Sequence, residues 1–379
     1  MITFLKQAFW TSIITNSSSL LSFIGIAVLA RYISPETFGI YVFCLATKEI
    51  ISSLCAPSLS QTFLFSKGSF NDFKNVCKIN LLYSFFIITI SVIGAYIIKI
   101  QYGQIYFKII LLFGILSIIN NYSSIFLSIG EKRMDFKKAS LFRSLSLVIS
   151  LILTCFFAVI YGDNLMVLVI KEIAFSILLI SLSSFFYFKF KKDNEKQDQD
   201  EIGYLFKYSL RSYFPRMTET FSYKIFEILT ASFLGKGILG LFNQTLNIVK
   251  IPYRFLGSIS DNILFVHLKE NDPKKNSDDF NFIQNIILIL IIPTVLFFNI
   301  FNYEIIRIVL GVKWLKSSNI IGLLSIFLVI LPFYNSLITV YQASDNQRYY
   351  TYTNCLVLIV QILGVLILPQ SLDLFILIY

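Results

Sequence analysis

Apolar residues along this chain run together for about 20 positions at a time and are broken by short polar joints, with no sustained alternation. At a rise of 1.5 Å per residue, a helix of about 20 residues matches the ~30 Å hydrocarbon core of a bilayer. Spans are predicted over 11–30, 39–62, 79–98, 109–129, 144–160 and 165–188, then over 206–233, 238–264, 282–301, 318–341 and 350–368. Residues 372–379 open another apolar run that is too short to cross alone. The expected fold class is therefore all-α, a polytopic membrane protein of about 11 to 12 spans. The hydrophilic stretch KFKKDNEKQDQDE at 189–201 has no apolar period and reads as a linker. It divides the chain into an N-terminal six-helix lobe (1–188), a cytoplasmic linker (189–204) and a C-terminal lobe (205–379) of five spans and a partial sixth.

One apolar stretch carries a polar line through it. Asn243, Asn247, Lys250, Arg254, Ser258 and Asp261 share a helical face at about 100° per residue, while Leu246, Ile248, Val249, Phe255 and Ile259 lie elsewhere. Lys250 stands about 18 Å from a helix start near Ile238, beyond easy snorkelling from a core of half-thickness about 15 Å. A cation at that depth costs a few kcal/mol, so it must face a watery path, an anionic ligand or a protein carboxylate. Lys250 and Arg254 lie one turn apart with Pro252 between them, an arrangement that favours a kink and suits a phosphate or diphosphate. The competing reading is interhelical glue, with Asp261 and carboxylates of the preceding span neutralising the cations.

That preceding span has a matching face of Ser209, Ser212, Arg216, Glu219, Thr220, Tyr223, Glu227 and Thr230. Arg216 with Glu219, and Lys224 with Glu227, are spaced to neutralise each other locally. In the N-terminal lobe, Lys48–Glu49 and Lys171–Glu172 are adjacent residues that point about 100° apart and so pair poorly with each other. Lys48 shares a face with Tyr41 and Ser52 and is the candidate cavity cation there. The Ser12, Thr15, Asn16 and Ser19 face of the first span reads as packing, because hydroxyls in membrane helices bond back to the preceding turn. Pro57, Pro293 and Pro332 fall inside predicted spans, as does Gly257, and are candidate hinges.

Composition narrows the function. Hydrophobic residues make up 56% of the 379 and charged residues only 14%, against about 25% in a soluble protein. The net charge of +10 follows from basic loops: Lys67, Lys74, Lys78, Lys132, Arg133, Lys137, Lys138 and Arg143 all fall on one side of the span plan. By the positive-inside rule that side and the N-terminus are cytoplasmic, and a nucleic-acid partner is not expected. Residues 13–30 read as a retained first helix rather than a cleaved leader. Five scattered cysteines and a lone His267 provide no metal cluster, disulfide framework or triad. No P-loop or nucleophile elbow is present, so a transporter is expected in place of an enzyme, with no cofactor.

The segment LARYISPETFGIY after the first span is echoed by ASFLGKGILGLF after the seventh, with Gly39–Tyr41 matching Gly240–Phe242 at an offset of about 200 residues. Together with the long break after the sixth span and FLGKGILGLFNQTLNIVKIP opening the second lobe, these stretches resemble the oligosaccharide flippases of the polysaccharide biosynthesis transporter family, which belongs with the multidrug and lipid-linked oligosaccharide exporters. The resemblance implies two transmembrane bundles around a central cationic cavity. It further implies translocation, in the bacterial inner membrane, of an undecaprenyl-diphosphate-linked repeat unit for O-antigen or capsule, with a polysaccharide polymerase, a chain-length regulator and membrane lipids as partners. Twelve or fourteen spans are usual in the family, one or more beyond those read here.

The expected mechanism is alternating access. Lys250 and Arg254 would meet the diphosphate, with Lys48 and Arg216 as further cavity cations. Asn243, Asn247 and Tyr223 would meet sugars, and Glu219 or Glu227 would couple protons. The alternatives are a cation-coupled exporter of drugs or small metabolites and a non-transporting scaffold of a polysaccharide assembly complex.

Overall fold

Ser34-Pro35-Glu36-Thr37 shows how local chemistry sets the helix ends. The computed structural model describes the backbone of residues 2–192, 202–270, 273–343 and 347–367, and side chains within it except at 2–9, 192, 211, 212, 215, 255–284, 286, 335–350 and 364–367. Helix α1 (Ile2–Tyr32) ends just before Ser34, and α2 (Pro35–Cys55) starts with proline at its first position, where a missing N–H costs nothing. Ser34 Oγ accepts from the Thr37 amide at 3.3 Å, and Glu36 lies in the first turn, so cap and helix dipole are both served.

Pro57 ends a helix outright. The predicted 39–62 span is corrected here: α2 stops at Cys55, and after a break at 56–58 a short α3 (Leu59–Phe65) follows. A proline removes the amide and crowds the preceding turn, so a continuous helix through this point would lose a backbone bond. α4 (Phe70–Tyr102) begins with a full capping box: Ser69 Oγ accepts from the Asp72 amide, and Asp72 accepts in return from the Ser69 amide, both at 3.0 Å. α5 (Gln104–Lys132), α6 (Phe136–Tyr161), α7 (Leu165–Lys192), α8 (Ile202–Phe233) and α9 (Lys236–Glu270) follow, with Gly103 and Gly235 turning the chain at φ 98° and 94°.

The predicted 282–301 span is α10 (Pro273–Ile300), which breaks by 83° into α11 (Asn302–Val309). A 3₁₀ turn (Val312–Ser317), α12 (Ser318–Ala343) and α13 (Gln347–Ile367) complete the described helices. The fold is all-α among the described residues, as expected. Among the described residues, seven helices are long and apolar enough to cross a membrane, or eight with the bent α10–α11 pair. Residues 372–379 and most of the linker lie outside the described residues.

The chain divides into two compact units, one of residues 1–25 and 43–225 and the other of 26–42 and 226–379. In the first, Phe73 packs with Phe63, Phe126, Tyr187 and Phe190 at ring separations of 5.6–6.1 Å. Lys132 closes that end of the unit by donating to the carbonyls of Phe63, Leu64 and Ser66, where α3 runs out of its own amides. In the second unit, the last carbonyls of α1 are capped in the same way: Trp314 Nε1 donates to Ala30 at 2.8 Å and Lys313 to Tyr32 at 3.2 Å. Arg31 Nη2 donates back to the Ile308 carbonyl at 2.5 Å.

The second unit contains one backbone-on-backbone contact. A Cβ placed on Gly39 would lie 1.7 Å from the Lys236 carbonyl oxygen, and one on Gly240 would lie 1.9 Å from that of Pro35. Each glycine therefore meets the carbonyl four residues before the other, so the two echoed segments touch at their matching positions. Alanine at either site, although a better helix former than glycine, is expected to destabilise the protein by roughly 1–3 kcal/mol through overpacking. Thermal unfolding in detergent should show both substitutions lowering the midpoint by several degrees, while Gly237→Ala, whose Cβ would meet nothing within 4 Å, leaves it unchanged or raises it.

Candidate functional site

On α9 the polar line exists as a ladder. Asn247 Nδ2 donates to Asn243 Oδ1 at 3.2 Å, and Arg254 Nη2 donates to Asn247 Oδ1 at 3.4 Å. Lys250, half-buried on the same stretch, places its ammonium 5.7 Å from the centre of the Phe327 ring. The helix runs through Pro252 without ending, and Arg254 at the ladder's end is exposed. Neutral amides thus lead to two cations along one face, an arrangement able to hold an anion and hydroxyl groups together. The side chains of Ser258, Asp261 and His267 lie outside the described residues. Gln244, which sequence reading passed over, is fully buried on the same helix and neither atom of its amide has a hydrogen-bond partner.

The first unit holds a cavity of about 300 Å³ lined by Glu49, Ser52, Ser53 and Ala56 from the end of α2, Asn121 of α5, and Arg216 and Thr220 of α8. Tyr213 ties α8 to α2 beside it by donating to the Leu54 carbonyl at 2.5 Å. Arg216 makes no ion pair among the described residues; Glu219, one turn along, acts on it electrostatically. Asn121 presents a buried amide nitrogen with no hydrogen-bond partner. Tyr223 and Glu219 are half-buried further along α8, and Glu227 is buried at 8% exposure.

Carboxylates find their cations across helices. Lys224 reaches Glu49 at 3.2 Å, so its neutraliser comes from α2 and not solely from its own helix. Lys48 pairs with Glu172 of α7, 124 residues away, at 3.2 Å, with its ammonium 5.5 Å from the Phe113 ring. Adjacent Lys171 stays 3.9 Å from Glu172. Neither Lys48 nor Glu172 lines the cavity. The two long-range pairs differ in burial, and that decides their roles. Side-chain exposure is 11% and 13% for Lys48 and Glu172 but 24% and 43% for Lys224 and Glu49. A deeply buried pair strands a charge when broken, whereas a half-open pair is worth up to about 1 kcal/mol and exchanges readily.

Sequence reading named the cations but missed Glu49, Asn121 and Glu172 as their surroundings. Only the poor geometry of the adjacent Lys–Glu pairs signalled that Glu49 and Glu172 had to look elsewhere. The first helix behaves as expected, with Thr15 donating to the Thr11 carbonyl and Ser19 to that of Thr15, both at 2.9 Å.

A family model described as "Polysaccharide biosynthesis protein" matches residues 28–319. Among solved structures, the fold is similar to lipid II flippase MurJ in an inward closed conformation, with a TM-score of 0.74 at 17% identity, covering 97% of this chain and 83% of that one. It is also similar to a multidrug resistance MATE family transporter of the MOP superfamily in inward-facing form, with a TM-score of 0.65 at 12% identity over 95% of this chain and 89% of that one. The outward-facing form gives 0.65 at 14% identity, over 99% and 90%. No curated protein matches by sequence.

Removing Lys48 alone should cost a few kcal/mol, because buried Glu172 then loses its 3.2 Å partner while Lys171 stands farther off, at 3.9 Å. In detergent, Lys48→Met should therefore lower the unfolding midpoint sharply, and Lys48→Met combined with Glu172→Met should recover most of it.

Proposed function

This chain belongs to the polysaccharide biosynthesis protein family, and from that premise we propose that it is a flippase carrying undecaprenyl-diphosphate-linked oligosaccharide repeat units across the bacterial inner membrane. The product would feed O-antigen or capsule assembly. The α9 ladder is the observation that carries this reading: amides suited to sugar hydroxyls run into two cations suited to a diphosphate. The transporter fold supports it.

In this reading Lys250 and Arg254 hold the diphosphate, with Arg216 as a further cavity cation and Lys48 supporting it through its pair with Glu172. Asn243, Asn247 and Tyr223 meet the sugars. The lobes 1–188 and 205–379 move by alternating access around the linker at 189–204, with the N-terminus cytoplasmic. Glu219 or Glu227 couples protons, and no cofactor takes part. A polymerase and a chain-length regulator would receive the flipped unit.

Likeness to multidrug transporters favours one second reading, a cation-coupled exporter of small molecules. The two are separated by the leaflet distribution of lipid-linked repeat units in cells. Depletion of the protein, and a Lys250→Gln/Arg254→Gln replacement at normal abundance, should each trap the units on the cytoplasmic side, with at least a tenfold fall in surface polysaccharide expected from losing two charge-assisted contacts. A normal distribution on depletion, in cells with no second flippase, would reject lipid-linked sugar transport in favour of small-molecule export.

A further inference from the structure

Three features of the first-unit cavity converge on one residue. Arg216 opens onto the cavity and has no ion pair among the described residues. Asn121 presents a buried, unpartnered amide nitrogen on the same lining. Glu49 lines the cavity as well, and its carboxylate grips Lys224 at 3.2 Å. The described lining thus contains one guanidinium, one amide, the hydroxyls of Ser52, Ser53 and Thr220, and a single carboxylate, which is itself paired with Lys224.

Ser53 and Thr220 donate to backbone carbonyls of their own helices, Ser53 to Ile50 at 2.9 Å and Thr220 to Arg216 at 3.0 Å. Their hydroxyl oxygens therefore serve as acceptors. Arg216 is an exposed donor facing the cavity, and the Asn121 amide nitrogen, buried and without a partner, is a donor that an entering ligand would satisfy; donors recognise an anion. Lys224 would join them if an anion took the place of Glu49 in their 3.2 Å pair. With 43% of its side chain exposed, Glu49 is the open member of that pair, whereas the Lys48–Glu172 pair is shut in at 11% and 13%. The protein therefore keeps one pair permanently closed and leaves the other accessible to exchange.

We propose that Glu49 is an internal counter-anion: it occupies Lys224 beside Arg216, and an entering phosphate-bearing anion displaces it to bind Arg216, Lys224 and Asn121 together. The inference rests on the flippase reading for the identity of the anion, a diphosphate head, while adding residues that the α9 ladder does not include. Displacement means that the ligand is selected by charge density. A diphosphate, with several charged oxygens, can outcompete one carboxylate, whereas a neutral or singly charged solute gains nothing by the exchange. Glu49 thereby excludes weaker anions from a basic cavity. No bond is made or broken in the step; one ion pair replaces another.

The test is binding to the full chain, purified in detergent, of two probes: inorganic pyrophosphate and a short isoprenyl diphosphate. Glu49→Gln keeps the shape of the side chain and removes the competing charge, so it should tighten both probes by about tenfold, while Arg216→Gln weakens both by at least as much. Arg216→Lys should restore part of the loss and guards against a folding defect. In a Lys224→Gln background Glu49→Gln should lose most of its effect, since the two residues act as one pair. A tenfold or greater preference for the isoprenyl probe would assign the site to a lipid headgroup, and equal affinities would assign it to a free phosphate anion; displacement of Glu49 holds in both. Unchanged or weaker binding in Glu49→Gln overturns the proposal, as does binding that is insensitive to Arg216→Gln. If that failure is accompanied by binding lost in Lys250→Gln/Arg254→Gln, the flippase reading stands without this site. If Glu49 and Arg216 behave as stated while depleted cells keep a normal leaflet distribution, the site stands and the flippase reading falls.

Discussion

A charge inside a helix bundle that faces hydrocarbon has no water to solvate it, so the protein must supply every partner. That constraint organises both units. Lys132 is used up by three carbonyls at the end of α3, and Arg31, Lys313 and Trp314 cover carbonyls that helix ends leave bare. Lys48 is closed against Glu172 and the face of Phe113. Buried hydroxyls bond back into their own helices, as with Ser84 on the Asn80 carbonyl and Thr154 on that of Ser150, both at 2.7 Å. Once these structural duties are assigned, other polar groups stand out: exposed Arg216 and the buried, unpartnered amide nitrogen of Asn121 in one unit, and the α9 ladder with exposed Arg254 at its end in the other.

Close approach of backbones is the second organising feature. Gly39 and Gly240 let the first turns of α2 and α9 meet without side chains between them. The contact is symmetric, each glycine touching the carbonyl four residues before the other. The helices on both sides start and stop at matching positions: α1 ends at Tyr32 and α8 at Phe233, while α2 begins at Pro35 and α9 at Lys236. A short motif that looked like a weak repeat along the chain is thus a pair of surfaces in contact. Small residues are what such a contact requires, since packing in a membrane relies on close van der Waals fit more than on burial from water.

The all-α class and most helix positions were legible because they depend on local quantities. Hydropathy over about 20 residues marks a span, Ser34-Pro35 and Ser69–Asp72 mark starts, and glycines at 103 and 235 mark turns. Failures came where apolarity persisted through a backbone break. Residues 39–62 read as one span because hydropathy does not register the amide that Pro57 lacks, whereas the span read over 282–301 ends where α10 does, at the 83° bend into α11. The α9 face was legible from a period of 3.6 alone, because its members lie on one helix and bond along it.

The sequence by itself determined that this is a membrane-embedded helical protein of a polysaccharide biosynthesis family, and which cations needed company. Those properties follow from composition within single helices and from short motif segments, each contiguous in the chain. Only the tertiary structure decided which carboxylate meets which cation. Glu49 and Glu172 each directly follow a lysine, and nothing local distinguishes them, yet one closes on Lys48 from 124 residues away and the other reaches Lys224 from a different helix. The choice depends on how each helix is rotated against its neighbours, a property of packed surfaces that no single segment encodes.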